Sequence, residues 1–406
     1  MSILVVSSDT YPPTRVDVTV LFGEELAGRG HRIDWLLQSE AACARPYVTP
    51  WGGGQVWVGA TDLGESRFSR FRKHWLGIRN DLRLFKLLRT GKYDIIEVKD
   101  KFIAGLAAAL ASRMYRKRFI YWLSYPFPEA YLHGARDGTA RYPLLWLIRG
   151  WIFKVLLYRL ILPRADHVFV QSEQMRRDVA AEGIPLARMT AVPMGVKTGS
   201  IVATDVTERN LIPAGQPCFM YLGTLNKVRK LDFLMRVLAR VLERIPNAKL
   251  YIVGAGDDPS DEQLLIEEAR KLNVSHAAVF VGKLPQPQAL RYVQEADVCV
   301  SPFYPTPVLN STSPTKLVEY MATGKAVVAN EHPEQALIIR ESGAGFCVPW
   351  DEEAFATAIV KLIQDAPLAR RMGDLGRKYV QTHRTYTVIA DQVERELLRI
   401  AAAARP

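Results

Sequence analysis

Apolar residues recur along the chain as short runs, each followed by a longer stretch with helical spacing. Ile3–Val6, Ile33–Leu37, Asp94–Val98, Phe119–Leu123 and His167–Val170 read as strands in the first half. In the second half the strands are Phe219–Leu222, Leu250–Val253, Val279–Val281, Val298–Val300 and Val327–Ala329. Short apolar strands alternating with helices build parallel sheets covered on both faces, so the pattern predicts two doubly wound α/β domains. The boundary is expected near residues 193–216, where Pro193, Gly195, Gly199, Pro213 and Gly215 crowd together. Ligands of such folds collect beyond the carboxyl ends of the strands, which directs attention to the residues that follow each strand.

One such segment, Ser313 to Ala329, reads as a turn, a helix and a strand. Ser313 suits an N-cap and Pro314 the first helical position. Free amides and the positive dipole end then favour a phosphate, Lys316 adds a charge in the first turn, and Glu319 stands where a carboxylate can take ribose hydroxyls. Gly324 ends the helix. A capped helix with no ligand fits the same residues. A second turn, Tyr221 to Lys230, places Gly223 and Thr224 at a strand end and Lys227, Arg229 and Lys230 before the next helix. Glycine admits a ligand close to the backbone, and Arg229 and Lys230 can neutralise a departing diphosphate. Gly254-Ala255-Gly256 lacks the rest of a dinucleotide fingerprint, and the chain has neither a Walker-type loop nor a His-Glu-x-x-His zinc motif.

Composition narrows the class. With 406 residues, 49% apolar and 23% charged, the chain is globular and long enough for two ordinary cores. Cys43, Cys218, Cys299 and Cys347 stand singly, which argues against a zinc site or a disulfide framework and suits a reducing cytoplasm. Met1–Val6 reads as a strand and not as a leader. Pro143–Leu162 is apolar but interrupted by Arg149, Lys154 and Arg159, each costing about 2.5–3.5 kcal/mol at a bilayer centre, so a membrane span is not expected.

Charge is uneven. Of a net +11, residues 1–200 carry 29 Lys and Arg against 18 Asp and Glu, whereas residues 201–406 carry 24 of each. An anionic surface facing the first half is the natural partner. Between Ser66 and Arg89, Phe68, Phe71, Trp75, Ile78, Leu82 and Phe85 recur at spacings of three and four among Arg67, Arg70, Arg72, Lys73, Arg79, Arg83, Lys86 and Arg89. This is the pattern of a basic amphipathic helix at a membrane surface; an ordinary helix with its apolar face on its own sheet shares it. No nucleic-acid reader motif accompanies these cations, so nucleic acid is not expected as a partner.

Gly223-Thr224-Leu225 with Arg229-Lys230, Val253-Gly254-Ala255-Gly256, Phe280-Val281-Gly282, and Ser313-Pro314-x-Lys316-Leu317-x-Glu319-Tyr320-Met321-Ala322-x-Gly324-Lys325 together resemble glycosyltransferase family 4. Leu26-Ala27-x-Arg29-Gly30-His31 and Ala165–Ser172 extend the likeness into the first half. The resemblance implies a GT-B architecture of two Rossmann-like domains facing a central cleft. It further implies retaining, metal-independent transfer from a nucleotide-diphosphate sugar, with no other cofactor, to a glycan or lipid-linked acceptor, as in cell-surface polysaccharide biosynthesis. The organisation expected is an acceptor domain over 1–195, a linker over 196–216, a donor domain over 217–384, and a last helix over 385–406 returning to the first domain. The location expected is cytoplasmic, peripheral on the inner face of the membrane.

Carried onto this chain, the resemblance makes Glu319 the ribose ligand and Arg229 and Lys230 the diphosphate-binding cations. It assigns donor contacts to Gly223, Thr224, Gly254, Gly282, Lys283, Ser313, Pro314, Thr315, Lys316, Leu317 and Val318. Ser311 occupies the place of the family's first motif acid. Arg15 stands where many members have paired glycines, and no histidine occurs in Tyr121–Glu129, so Asp100 and Glu129 are the catalytic candidates beside Arg229 and Lys230, and Arg15, Ser124 and Tyr125 the acceptor-side ones. An epimerase of the same architecture, or a non-catalytic basic adaptor that binds membrane or nucleic acid, are the rival readings; the first would need a carboxylate-rich cleft.

Overall fold

In a computed structural model, which describes residues 1–64, 66–197, 199 and 211–403, the chain divides into two compact units. Met1–Pro193 with Tyr386–Pro406 form the first, and Met194–Thr385 the second. The stretch anticipated as a linker lies partly outside the described residues; Val196 bridges to Thr385 within the second unit.

The first unit is built on an eight-stranded sheet of order β3-β4-β2-β1-β5-β6-β7-β8. Its strands are β1 (Ser2–Tyr11), β2 (Arg32–Ser39), β3 (Tyr47–Trp51), β4 (Gly54–Gly59), β5 (Ile95–Lys99), β6 (Arg118–Leu123), β7 (His167–Val170) and β8 (Met189–Ala191). All neighbours pair in parallel except β3 with β4. Successive residues alternate between faces: Leu4, Val6, Ile96, Val98 and Tyr121 pack under Phe102–Met114 and Leu156–Ile161, while Ile3, Val5, Ile95, Ile120 and Trp122 pack under Asp17–Leu26 and Tyr386–Ala402. The last helix buries Ile389, Val393, Leu397 and Ile400 against that face. Its Glu394 accepts from Arg29 at 2.8 Å and meets His31 Nε2 at 2.6 Å.

The second unit carries a six-stranded parallel sheet of order β11-β10-β9-β12-β13-β14. These strands are β9 (Cys218–Leu222), β10 (Lys249–Val253), β11 (Ala278–Gly282), β12 (Val298–Ser301), β13 (Val327–Asn330) and β14 (Gly345–Val348). The order reverses between β9 and β12, which opens a crevice at the carboxyl ends of those two strands. The first sheet reverses in the same way between β1 and β5.

Two expectations need correction. Ser313 does not cap the helix Thr315–Ala322: Pro314, with ψ 81°, takes the cap position, and no side chain caps the helix start. The Ser313 hydroxyl instead accepts the Met194 amide at 3.0 Å. The basic segment is not one continuous helix. It runs as Arg67–Asp81 and Arg83–Leu88, and Phe85 leaves the stripe to pack on the core beside Leu84 and Leu88. The remaining aromatics, Phe68, Phe71 and Trp75, are exposed. Among the described residues no helix is long and apolar enough to cross a membrane.

Candidate active site

In the second unit the strand ends and one helix start bring the cations together. Gly223, Gly254 and Gly282 follow or end β9, β10 and β11, linked by Gly223 N–H to the Val253 carbonyl at 2.8 Å and Gly254 N–H to the Gly282 carbonyl at 2.9 Å. Gly223 has a φ of +149°, and a Cβ there would occupy the space of the Lys316 side-chain end. The lysine therefore lies directly across the strand-end turn. Its Nζ reaches the Tyr221 hydroxyl at 3.2 Å and stands 5.1 Å from that ring. Arg229, further along the same turn after β9, stands 5.9 Å from the Phe303 ring and acts on the same Tyr221 hydroxyl.

Burial pushes the Tyr221 hydroxyl up to about 12, with Arg229 opposing. Burial and then Arg229 hold the Lys316 ammonium well below the usual lysine range, with Glu319 opposing. Among the described residues neither Lys316 nor Arg229 has a carboxylate within 4 Å. Burial and the neighbouring Arg229 thus both disfavour the Lys316 charge.

Glu319 stands one turn further along the helix. Its half-buried carboxylate accepts from the Gln286 side chain at 2.9 Å, and burial raises its pKa against Gln286 and Lys316. Leu317 and Val318 point into the core, so only their backbone can face a ligand. Thr315 N–H is taken by the Ser313 carbonyl and Val318 N–H by that of Pro314; the amides of Lys316 and Leu317 have no acceptor within the helix. Gly324 ends it at φ +77°, with Gly324 N–H on Met321 and Lys325 N–H on the Tyr320 carbonyl. Lys230, at φ 50°, and Lys283 are exposed at the rim, as is Thr224, whose carbonyl accepts from Tyr221. Ser311 is buried at the end of the short helix Pro307–Asn310.

The first unit has a rim of its own. Asp100, at φ 57° just after β5, accepts the Ser124 amide at 2.9 Å and the Ser124 hydroxyl. Arg15 donates to the Ser124 hydroxyl at 3.3 Å and grips Asp17 at 3.0 Å. Buried Lys99 bridges Asp17 at 2.8 Å and Asp9 at 3.2 Å. Burial raises the Asp100 carboxyl to about 6, against Lys99, Ser124 and Arg15; burial also opposes the Asp17 charge, yet Lys99 and Arg15 pull that carboxyl down to about 2. Asp100, Ser124 and Arg15 are therefore one cluster. Tyr125 packs edge-on against Phe127 with ring centres 5.1 Å apart. Glu129 lies apart: it is buried toward the Tyr158 hydroxyl and Lys154.

These two rims coincide with two family matches. Residues 17–195 match the glycosyl transferase 4-like domain and residues 216–365 the glycosyl transferases group 1 model. The chain belongs to the group 1 glycosyltransferases. It is 29% identical over 216 residues, 52% of either chain, to the phosphatidyl-myo-inositol mannosyltransferase of Mycolicibacterium smegmatis, and it spans about half the length of the curated relatives it matches first. The fold of this glycosyltransferase is GT-B. Sucrose-phosphate synthase from Thermosynechococcus elongatus superposes over the whole of both chains with a TM-score of 0.74 at 20% identity. Anabaena HepE in complex with UDP does so over 98% of this chain and all of its own, with a TM-score of 0.70 at 14% identity.

Three residues that shape this rim of the second unit were missed in the sequence. Tyr221 is hidden inside an apolar strand, and Gln286 opens a helix without any motif around it. Tyr320 accepts the Leu222 amide at 2.7 Å, which fixes the Lys316 helix to the end of β9. A tyrosine directly after Glu319 was the available signal.

Proposed function

We propose that this protein is a retaining, metal-independent glycosyltransferase that takes a sugar from a nucleoside-diphosphate donor and passes it to a glycan or lipid-linked acceptor of surface polysaccharide assembly. The observation that carries the reading is the pair Lys316 and Arg229, half-buried at one strand end without a carboxylate counter-ion among the described residues. Such a pair is poised for a dense anion, and the free amides of the helix start favour the same occupant. Glu319, hydrogen-bonded to Gln286, is the group for the ribose hydroxyls. UDP in the HepE complex and the lipid named as acceptor scaffold in the mannosyltransferase relative support the donor and acceptor classes. Four free cysteines fit a cytoplasmic setting.

In the reaction the acceptor hydroxyl oxygen bonds to the anomeric carbon as the bond from that carbon to the phosphate oxygen breaks. The hydroxyl proton passes to the departing phosphate oxygen on the same face of the sugar, so configuration is kept. Lys316, Arg229 and the helix amides stabilise the charge that grows on the diphosphate, and the protein otherwise acts by orientation. Arg15, Ser124 and Asp100 are the acceptor-side groups, and Lys230 assists at the diphosphate rim.

The test is release of nucleoside diphosphate from a panel of nucleotide sugars, with the product anomer read by NMR and a chelator arm. Release that survives chelation, with retained configuration, is expected. Inversion, or activity abolished by chelation and restored by a divalent metal, would defeat the corresponding part of the reading.

A further inference from the structure

We propose that the outward face of three helices in the first unit, Arg67–Asp81, Phe102–Met114 and Pro143–Val155, is a docking surface for an anionic lipid bilayer. The inference stands on the surface of that unit and does not depend on the donor site.

Each helix is amphipathic in the reverse of the ordinary sense. In Arg67–Asp81, Phe68 is 73%, Phe71 68% and Trp75 57% exposed. The side turned to the sheet holds Gly77 and Asn80, whose side-chain amide donates to the Leu37 carbonyl at 2.9 Å. A turn of about 100° per residue puts these two roughly 140–200° round from Trp75. In Phe102–Met114 the buried positions are Ala104, Gly105, Ala107, Ala108, Ala109, Ala111 and Ser112, while Ile103, Leu110 and Met114 face outward. In Pro143–Val155 the one buried residue is Gly150, where a Cβ would stand 2.8 Å from Leu132. Leu144, Ile148, Trp151 and Val155 share the exposed stripe of that helix. On each helix the most deeply buried positions are small or polar while several large apolar side chains face solvent, where an ordinary surface helix shows the opposite.

The helices are neighbours. Phe102–Met114 touches Arg67–Asp81 on one side, and its first residue, Phe102, stacks on Phe153 with ring centres 4.2 Å apart on the other.

Charge selects the occupant. Residues 66–89 carry eight cations and one acid, and that acid, Asp81, is held by Lys101 at 2.7 Å. Residues 102–117 carry three cations and residues 141–160 four, with no acid in either; of these, Lys154 pairs with Glu182 at 2.6 Å. A second copy of this face would set cations against cations. Nucleic acid would satisfy the arginines but offers nothing to Leu144, Ile148 and Val155. An anionic bilayer interface offers phosphate to the cations and acyl chain to the apolar stripe, and it favours tryptophan at the depth between them.

The experiment is flotation of the full-length protein with vesicles of phosphatidylcholine alone or mixed with phosphatidylglycerol, at low and high salt. Trp75→Ser with Trp151→Ser is the apolar variant and Arg70→Glu with Arg79→Glu the charge variant. Both sets of side chains are exposed, so unchanged melting and nucleotide affinity certify the fold. Wild type should float with the mixed vesicles and not with the neutral ones, and salt should weaken the association. The apolar variant should lower partitioning at least about tenfold. Each cation near such a surface is worth roughly fivefold, so the charge variant should fall further. Failure of wild type to float overturns the proposal, as does an apolar variant that floats like wild type. A dimer that the variant dissolves, without vesicle binding, would overturn it in favour of self-association.

Discussion

Lys316→Met separates two effects that the structure ties to one ammonium. In the free protein the Lys316 charge is disfavoured, first by burial and then by Arg229, and its nearest polar partner is the neutral Tyr221 hydroxyl at 3.2 Å. Methionine fills much the same space without the charge, so the free variant should melt at a higher temperature than wild type. With a diphosphate bound, the same charge faces an anion. Two unit charges at about 4 Å and an effective dielectric near 20 attract by about 4 kcal/mol. Desolvation reduces the net worth of such a charged hydrogen bond to about 1.5–3 kcal/mol, or roughly 10- to 150-fold in Kd. Calorimetric titration with UDP and GDP gives the affinity, and thermal melting without nucleotide gives the stability. Unchanged affinity for the nucleotide that wild type binds would refute the diphosphate role. A lower melting temperature of the free variant would refute the claim that the charge is a cost.

Gly223→Ala tests the same site from the backbone. The new Cβ occupies the space of the Lys316 side-chain end at a φ of +149°, so nucleotide affinity should fall about tenfold while the free protein loses stability, the reverse of Lys316→Met; melting and titration together distinguish the two. Glu97 gives a pH prediction. Burial pushes its carboxyl up to about 8, with Lys99 opposing, and neither oxygen has a hydrogen-bond partner among the described residues. A raised carboxyl favours folding fully below about pH 4.5 and loses that contribution as pH rises through about 8, at about 1.4 kcal/mol per pH unit in between. Glu97→Met should flatten this slope in urea melts of the first unit, and parallel curves for the two proteins would contradict the assignment.

The sheets were legible because each central strand is a compact apolar run. β3 and β4 were not: the hairpin turns on Gly52 and Gly53, and its first strand, Tyr47–Trp51, contains Pro50 and lies at an exposed edge. β8, three residues long, and β14 are edge strands whose runs are too short or too mixed to separate from their flanking loops. In the second unit, Lys316 and Glu319 were readable from turn, charge and spacing. Tyr221 acts through long-range packing that no local pattern encodes, and Tyr320, although it directly follows Glu319, takes its role from the distant Leu222 amide. The Ser313 cap failed for a related reason: the distant Met194 amide takes the hydroxyl that local reading assigned to the helix. In the first unit, Asp100, Ser124 and Arg15 come from three separate strand ends and meet only in the fold.

The central claim is that the helix Thr315–Ala322 and the β9 turn hold a nucleoside diphosphate. Titration of UDP, GDP, ADP and inorganic pyrophosphate into wild type and Glu319→Ala tests it most directly. One nucleotide should bind wild type at least tenfold more tightly than the others. Glu319→Ala should lose about tenfold or more for that nucleotide, the worth of charged hydrogen bonds to its ribose, and leave pyrophosphate unchanged. No nucleotide binding, or binding indifferent to Glu319, would contradict the account.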